Sequence, residues 1–180
     1  PDLTALMGQC DPVGSDQLNL ARQWRMVFEW KTAGDYRVTL QAQRDRDPSS
    51  CAFIGPLYWS VVGDNEANCN LYTPPQGMDC PTPPTNTWSE QNRSVAVPEG
   101  QWFKLEIFWH RSSGTDGRVW MAVDGQVIVD HQGPNTGNWN APIDRIMINQ
   151  LYTSTHYPVY QWADDLQIWS GFPTVGPGDP

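Results

Sequence analysis

Lysine is nearly missing from this chain. Lys31 and Lys104 are the only two in 180 residues, and the formal net charge is −9. So few cations disfavour DNA, RNA or an anionic membrane as partner, because those surfaces bind clustered Lys and Arg. Long apolar runs are missing as well. No stretch of about 18 apolar residues occurs, so no helix spans or inserts into a bilayer. There is no C-x-x-C pair, and the three histidines stand at no zinc-ligand spacing from the four cysteines, which argues against a zinc site. Helical periodicity is hard to find, and internal repeats are absent. The chain opens on Pro1 with no Met-Lys-Arg start before an apolar stretch, so it reads as a mature or excised form with any export signal already removed.

What is present points to an exported β-protein. An even set of cysteines, Cys10, Cys51, Cys69 and Cys80, in a Trp-rich and Lys-poor chain reads as two disulfides formed in an oxidising compartment, secreted or at the cell surface. Of the three possible pairings, we favour Cys69–Cys80, closing a short Pro-rich loop, with Cys10–Cys51 tying down the N-terminal segment. Asn92-Arg93-Ser94 is a glycosylation acceptor if the host modifies such sites.

Alternating apolar and polar residues recur between Gly, Pro, Asn and Asp clusters. Residues 18–31 end in Met26-Val27-Phe28-Glu29-Trp30, which suits a strand. In residues 35–44, Tyr36, Val38, Leu40 and Ala42 take one face and Arg37, Thr39, Gln41 and Gln43 the other. A third strand is expected over 53–62, interrupted by Gly55-Pro56. Residues 65–92 hold five prolines and two cysteines and read as a long stapled loop. Strands follow over 94–97, 102–111 and 118–123. Asp124-Gly125 then makes a two-residue hairpin into 126–131, since a type I′ turn needs positive φ at both central positions. Strands over 143–153 and 160–169 complete nine or ten. So many antiparallel strands must stack to hide their edges, which predicts an all-β, two-sheet antiparallel sandwich over 1–172. The Pro/Gly-rich residues 173–180 form a tail or linker stub.

The second half also carries a family likeness. Trp102-Phe103-Lys104-Leu105-Glu106-Ile107 leads to the turn Ser112-Ser113-Gly114-Thr115-Asp116-Gly117. The hairpin Val119-Trp120-Met121-Ala122-Val123-Asp124-Gly125-Gln126-Val127-Ile128-Val129 comes next. Arg145-Ile146-Met147-Ile148-Asn149-Gln150-Leu151-Tyr152 and Trp162-Ala163-Asp164-Asp165-Leu166-Gln167-Ile168-Trp169 close the series. This order resembles the concanavalin A-like jelly-roll superfamily, in particular the heparin-lyase and alginate-lyase-like polysaccharide lyases and the laminin-G-like binding modules. The resemblance implies two curved sheets with sugar bound on the concave face. It also implies a tyrosine, near Tyr152, acting as general acid or base on an inner strand.

Several candidate sites follow. The polar face bearing Arg37, Thr39, Gln41 and Gln43 offers amides and a guanidinium at period two, suited to successive sugar hydroxyls, although a solvated face has the same pattern. Gln150, Tyr152 and Tyr157 extend the candidate binding set. Tyr152, His156 and Arg37 form the catalytic set if the chain is a lyase, the arginine neutralising a uronate carboxylate. Against that reading, Ile148 replaces the lysine of the lyase strand, and neither Gln-x-His nor Arg-x-Glu-x-Arg occurs. Among the ten tryptophans, Trp88 and Trp139 fall in expected loops and are the candidates for stacking on sugar rings. Asp164 and Asp165, with Asp2 or Asp11, can supply oxygen ligands to a structural calcium, or a strand-end bond to Arg145 instead. His110 and His131 are expected at the sheet rim.

The expected function is therefore a secreted carbohydrate-binding domain whose partner is a polysaccharide, with no cofactor required. The acidic balance favours a neutral polymer over a uronate. The alternatives are a polysaccharide lyase acting by β-elimination and a structural subunit of an extracellular assembly.

Overall fold

Alternation is what builds the first sheet. The computed structural model describes residues 24–32, 36–46, 53–65, 86–136, 142–148 and 162–171, and all regular structure within them is β. Strands β1 (Trp24–Thr32), β2 (Tyr36–Arg46), β3 (Phe53–Asn65), β4 (Asn86–Asn92) and β8 (Ile143–Ile148) form a five-stranded antiparallel sheet, in the order β4-β3-β2-β1-β8. Strands β5 (Leu105–His110), β6 (Arg118–Val123) and β7 (Gln126–Gln132) form a three-stranded antiparallel sheet in that order. Tyr36, Val38, Leu40 and Ala42 of β2 are all buried, as their period-two spacing predicts. Pairing puts Phe28 opposite Leu40, Trp30 opposite Val38, Val61 opposite Leu40 and Trp59 opposite Ala42, so one face of the sheet is apolar across three strands.

That face meets Val119, Met121 and Val123 of β6 with Ile128 and Val129 of β7, making one core between two sheets, a β-sandwich. Burying each such side chain fully contributes roughly 1.5–3 kcal/mol. Aromatic contacts cross the layers. Trp30 meets Trp109 at 5.2 Å between ring centroids, and Trp59 meets Phe103 at 6.0 Å. The hairpin between β6 and β7 turns on Asp124 (φ 48°) and Gly125 (φ 75°), both positive as the Asp-Gly pair requires. Asn135 locks the far end of the second sheet. Its Oδ1 accepts from Trp109 Nε1 and the Ser112 amide, and its Nδ2 donates to the His110 carbonyl.

Three elements differ from the sequence expectation. Residues 86–92, expected inside the long loop, form edge strand β4, and their largely polar composition hid an alternation whose partner is β3. Residues 94–97 form no strand, because the Asn92 side chain turns the chain there, its Oδ1 accepting from the Ser94 and Val95 amides. Residues 162–169, expected as the last strand, have no regular structure and are exposed. Gly55-Pro56 does not interrupt β3. Gly55 takes a φ of 70°, and the pairing register shifts on the facing strand between Gln43 and Asp45. Among the described residues no helix is long and apolar enough to cross a membrane.

Candidate functional site

The second face of the five-stranded sheet, turned away from the apolar core, is where the polar residues gather. Because β-strand side chains alternate, Arg37, Thr39, Gln41 and Gln43 must share this face once their neighbours enter the core. Register then brings in partners that the sequence did not single out. Glu29 of β1 stands opposite Thr39, and Lys31 opposite Arg37. On the other side Asp64 faces Arg37, Ser60 faces Gln41 and Tyr58 faces Gln43.

The centre of the face is a hydrogen-bonded row. Tyr58 Oη donates to Gln43 Oε1 at 3.2 Å, Gln43 Nε2 to Gln41 Oε1 at 2.6 Å, and Gln41 Nε2 to Thr39 Oγ1 at 3.2 Å. Each amide is thereby held in one orientation, with part of its surface open to solvent. Thr39 and Ser60 are buried.

Ion pairs close both ends of the row. At one end Arg37 Nε donates to Asp64 Oδ1 at 2.6 Å, and Arg37 Nη1 lies 3.7 Å from Glu29 Oε1. Lys31 Nζ lies 3.8 Å from the same Glu29 oxygen. Glu29 is fully buried (0% exposed), so the two cations offset the cost of keeping a carboxylate from water. At the other end Arg93 makes a two-pronged bond to Asp45, Nη1 to Oδ2 at 2.6 Å and Nη2 to Oδ1 at 3.0 Å. Its guanidinium also lies 3.8 Å over the Tyr58 ring. The Arg93 hydrogen bond holds the Asp45 carboxyl below its ordinary value. Burial, followed by the Asp45 charge, raises the Tyr58 phenol above its own.

The other expected residues fall elsewhere. Trp88 lies in β4 rather than in a loop and packs against the core. Its indole stacks on His131 of β7 at 4.0 Å and 9° between planes, so one ring face is already covered. That arrangement corrects the expectation that Trp88 lies in a loop. It also moves His131 from the rim into the seam between the sheets, where Nδ1 bonds Glu90 Oε1 at 3.1 Å. His110 is exposed at the end of β5, 3.5 Å from Asp116. Asp164 and Asp165 are exposed, and the Asp165 amide donates to Asp164 Oδ1. Arg145 bonds Asp144 at 3.0 Å. Among the described residues no three His, Cys, Asp or Glu side chains gather as a metal site would require. Trp139, Gln150, Tyr152, His156 and Tyr157 lie outside the described residues, as do Cys10, Cys51, Cys69 and Cys80.

Comparison with known protein families, with curated proteins and with solved structures gives no match for this chain.

Proposed function

We propose that this chain is a carbohydrate-binding domain, built as a concanavalin A-like jelly roll, that takes a neutral polysaccharide along the polar face of its five-stranded sheet. The observation that carries this reading is the row Tyr58–Gln43–Gln41–Thr39. Amides fixed by one another lose little rotamer entropy on binding, and each keeps donor and acceptor capacity for sugar hydroxyls. A face built only for solvation has no need of such mutual fixing.

The charge pattern favours a neutral polymer. Arg37, Lys31 and Arg93 each stand beside a carboxylate of this chain, so a uronate would have to compete with Asp64, Glu29 or Asp45. For the same reason Arg37 is poorly placed to neutralise a substrate carboxylate in β-elimination, and binding without catalysis is the stronger reading.

The test is affinity electrophoresis through gels containing neutral glucans, mannans, xylans or galactans. The wild-type chain is expected to be retarded in one of them, with no new reducing ends and no ultraviolet-absorbing unsaturated product. Replacing Gln41 and Gln43 together by Ala removes two hydrogen-bonding groups worth about 1 kcal/mol each, so affinity drops roughly thirtyfold while the fold is kept. Unchanged retardation in a folded Q41A/Q43A variant would remove the amide row from any binding role. An unsaturated uronyl product would replace binding by a lyase.

A further inference from the structure

The amide row has a direction. Its three hydrogen bonds all run the same way, from Tyr58 Oη to Gln43 Oε1, from Gln43 Nε2 to Gln41 Oε1 and from Gln41 Nε2 to Thr39 Oγ1. A glutamine fits such a row turned either way, because its amide carries donors on one side and an acceptor on the other. The hydroxyls at the two ends also donate or accept, so nothing in the glutamines themselves selects a direction. The selection is made at the ends. A phenol is a far stronger acid than an aliphatic alcohol and therefore the better donor, which suits Tyr58 to give its proton and Thr39 to receive one. The Asp45 charge also acts on this phenol, but both Asp45 oxygens already accept from Arg93. Arg93 holds the Tyr58 ring in place as well, with its guanidinium 3.8 Å from the ring centroid. Tyr58 is only 6% exposed, so its own contact with anything lying on the face is small.

We infer that Tyr58 is the positioning residue of the polar face: by giving its proton to Gln43 it sets the direction of both glutamines, and through them the pattern of donors and acceptors that a ligand meets. In that direction Gln41 and Gln43 each keep one N–H and one oxygen lone pair beyond the row, among the described residues. Neighbouring sugar hydroxyls match this pattern, since each hydroxyl both donates and accepts. Without the Tyr58 proton both directions serve equally, and the ligand has to select one. Two amides with two orientations each give between two and four arrangements of the row. The apparent affinity then falls by the fraction that is competent, roughly two- to fourfold. The effect on affinity rests on the carbohydrate-binding reading above, whereas the direction of the row does not.

Two measurements on Tyr58→Phe, which removes the proton and keeps the ring under Arg93, test this separately. The first is side-chain amide NMR without ligand. In the wild type the Gln41 amide protons are expected to show cross-relaxation to Thr39, and in Tyr58→Phe that signal should weaken to about half as the second direction becomes populated. Gln41 lies one glutamine away from the deleted atom, so a merely local effect leaves it unchanged. The second is affinity electrophoresis over a concentration series of whichever glucan, mannan, xylan or galactan retards the wild type. Tyr58→Phe is expected to bind roughly two- to fourfold more weakly. Tyr58→4-aminophenylalanine, which restores a donor at the same place, is expected to recover the wild-type affinity. A folded Tyr58→Phe with an unchanged Gln41–Thr39 signal overturns the inference, as does wild-type affinity in that variant or a loss that the amine does not restore. Equal populations of both directions in the wild type overturn it with no variant needed. A wild-type chain retarded by none of these polymers overturns the binding reading instead, and the effect of Tyr58 on affinity with it. The amide signals then decide the direction of the row on their own.

Discussion

Gly63 decides whether two aromatic residues can occupy their places. It lies in β3 opposite Val38 and Trp88, and a Cβ built on it would fall inside the Trp88 indole and against the Tyr36 hydroxyl. The residue must therefore be glycine for close approach of a side chain. Gly63→Ala is expected to destabilise the fold by about 1–3 kcal/mol through overpacking, read as a lower urea midpoint with an unchanged slope. Trp88 fluorescence should shift in the same variant, because its stack on His131 is what has to give. Asn135 works by the opposite means, filling a buried site with hydrogen bonds to three backbone or indole groups. None of these roles is marked in the local sequence, since each depends on a neighbour distant in the chain.

At the scale of elements, the Asp45–Arg93 pair ties β2 to the turn that follows β4. Asp45 has a lowered pKa in the folded chain. Its stabilising effect is therefore present above the unfolded carboxyl value of about 3.9 and is lost as pH falls through the lower folded value. Both side chains are largely exposed, so solvent and salt keep the effect small. Asp45→Asn is expected to lower the urea midpoint slightly at neutral pH and by less at a pH below the folded Asp45 value, where the wild type has lost the same contribution. Equal losses at both pH values would assign the effect to packing of Arg93 over Tyr58 instead.

Strand β2 shows how far alternation reads. Tyr36, Val38, Leu40 and Ala42 enter the core and Arg37, Thr39, Gln41 and Gln43 share the opposite face, as the sequence requires. Strand β4 shows the limit. Asn86-Thr87-Trp88-Ser89-Glu90-Gln91-Asn92 is nearly all polar, and it becomes a strand because β3 offers it an edge. The ion-pair ends of the polar row escaped notice for a related reason. Glu29 and Lys31 look like solvent-facing residues of β1, and only cross-strand register sets them beside Thr39 and Arg37.

For the whole molecule, charge is distributed so that cations on the polar face are matched locally while the chain as a whole is acidic. Retention on a neutral polysaccharide is therefore expected to be unchanged by added salt, since no counter-charge on the ligand is screened. Retention that falls steeply with salt would point to a charged ligand and to opening of the Arg37–Asp64 or Arg93–Asp45 pair. Among the described residues five strands face three, and Ile143 and Ile146 of β8 are partly exposed.

By itself the sequence determined that the chain is β-structured, which face of β2 is apolar, and where the Asp124-Gly125 hairpin turns. These are consequences of period-two alternation and of local φ preferences, which act between near neighbours. Tertiary structure alone decided that Glu29, Tyr58, Ser60 and Asp64 join Arg37 and the glutamines, and that Trp88 stacks on His131. Those outcomes depend on register and on which layer covers which strand. Both are set by packing between segments far apart in the chain, where local propensity carries no information.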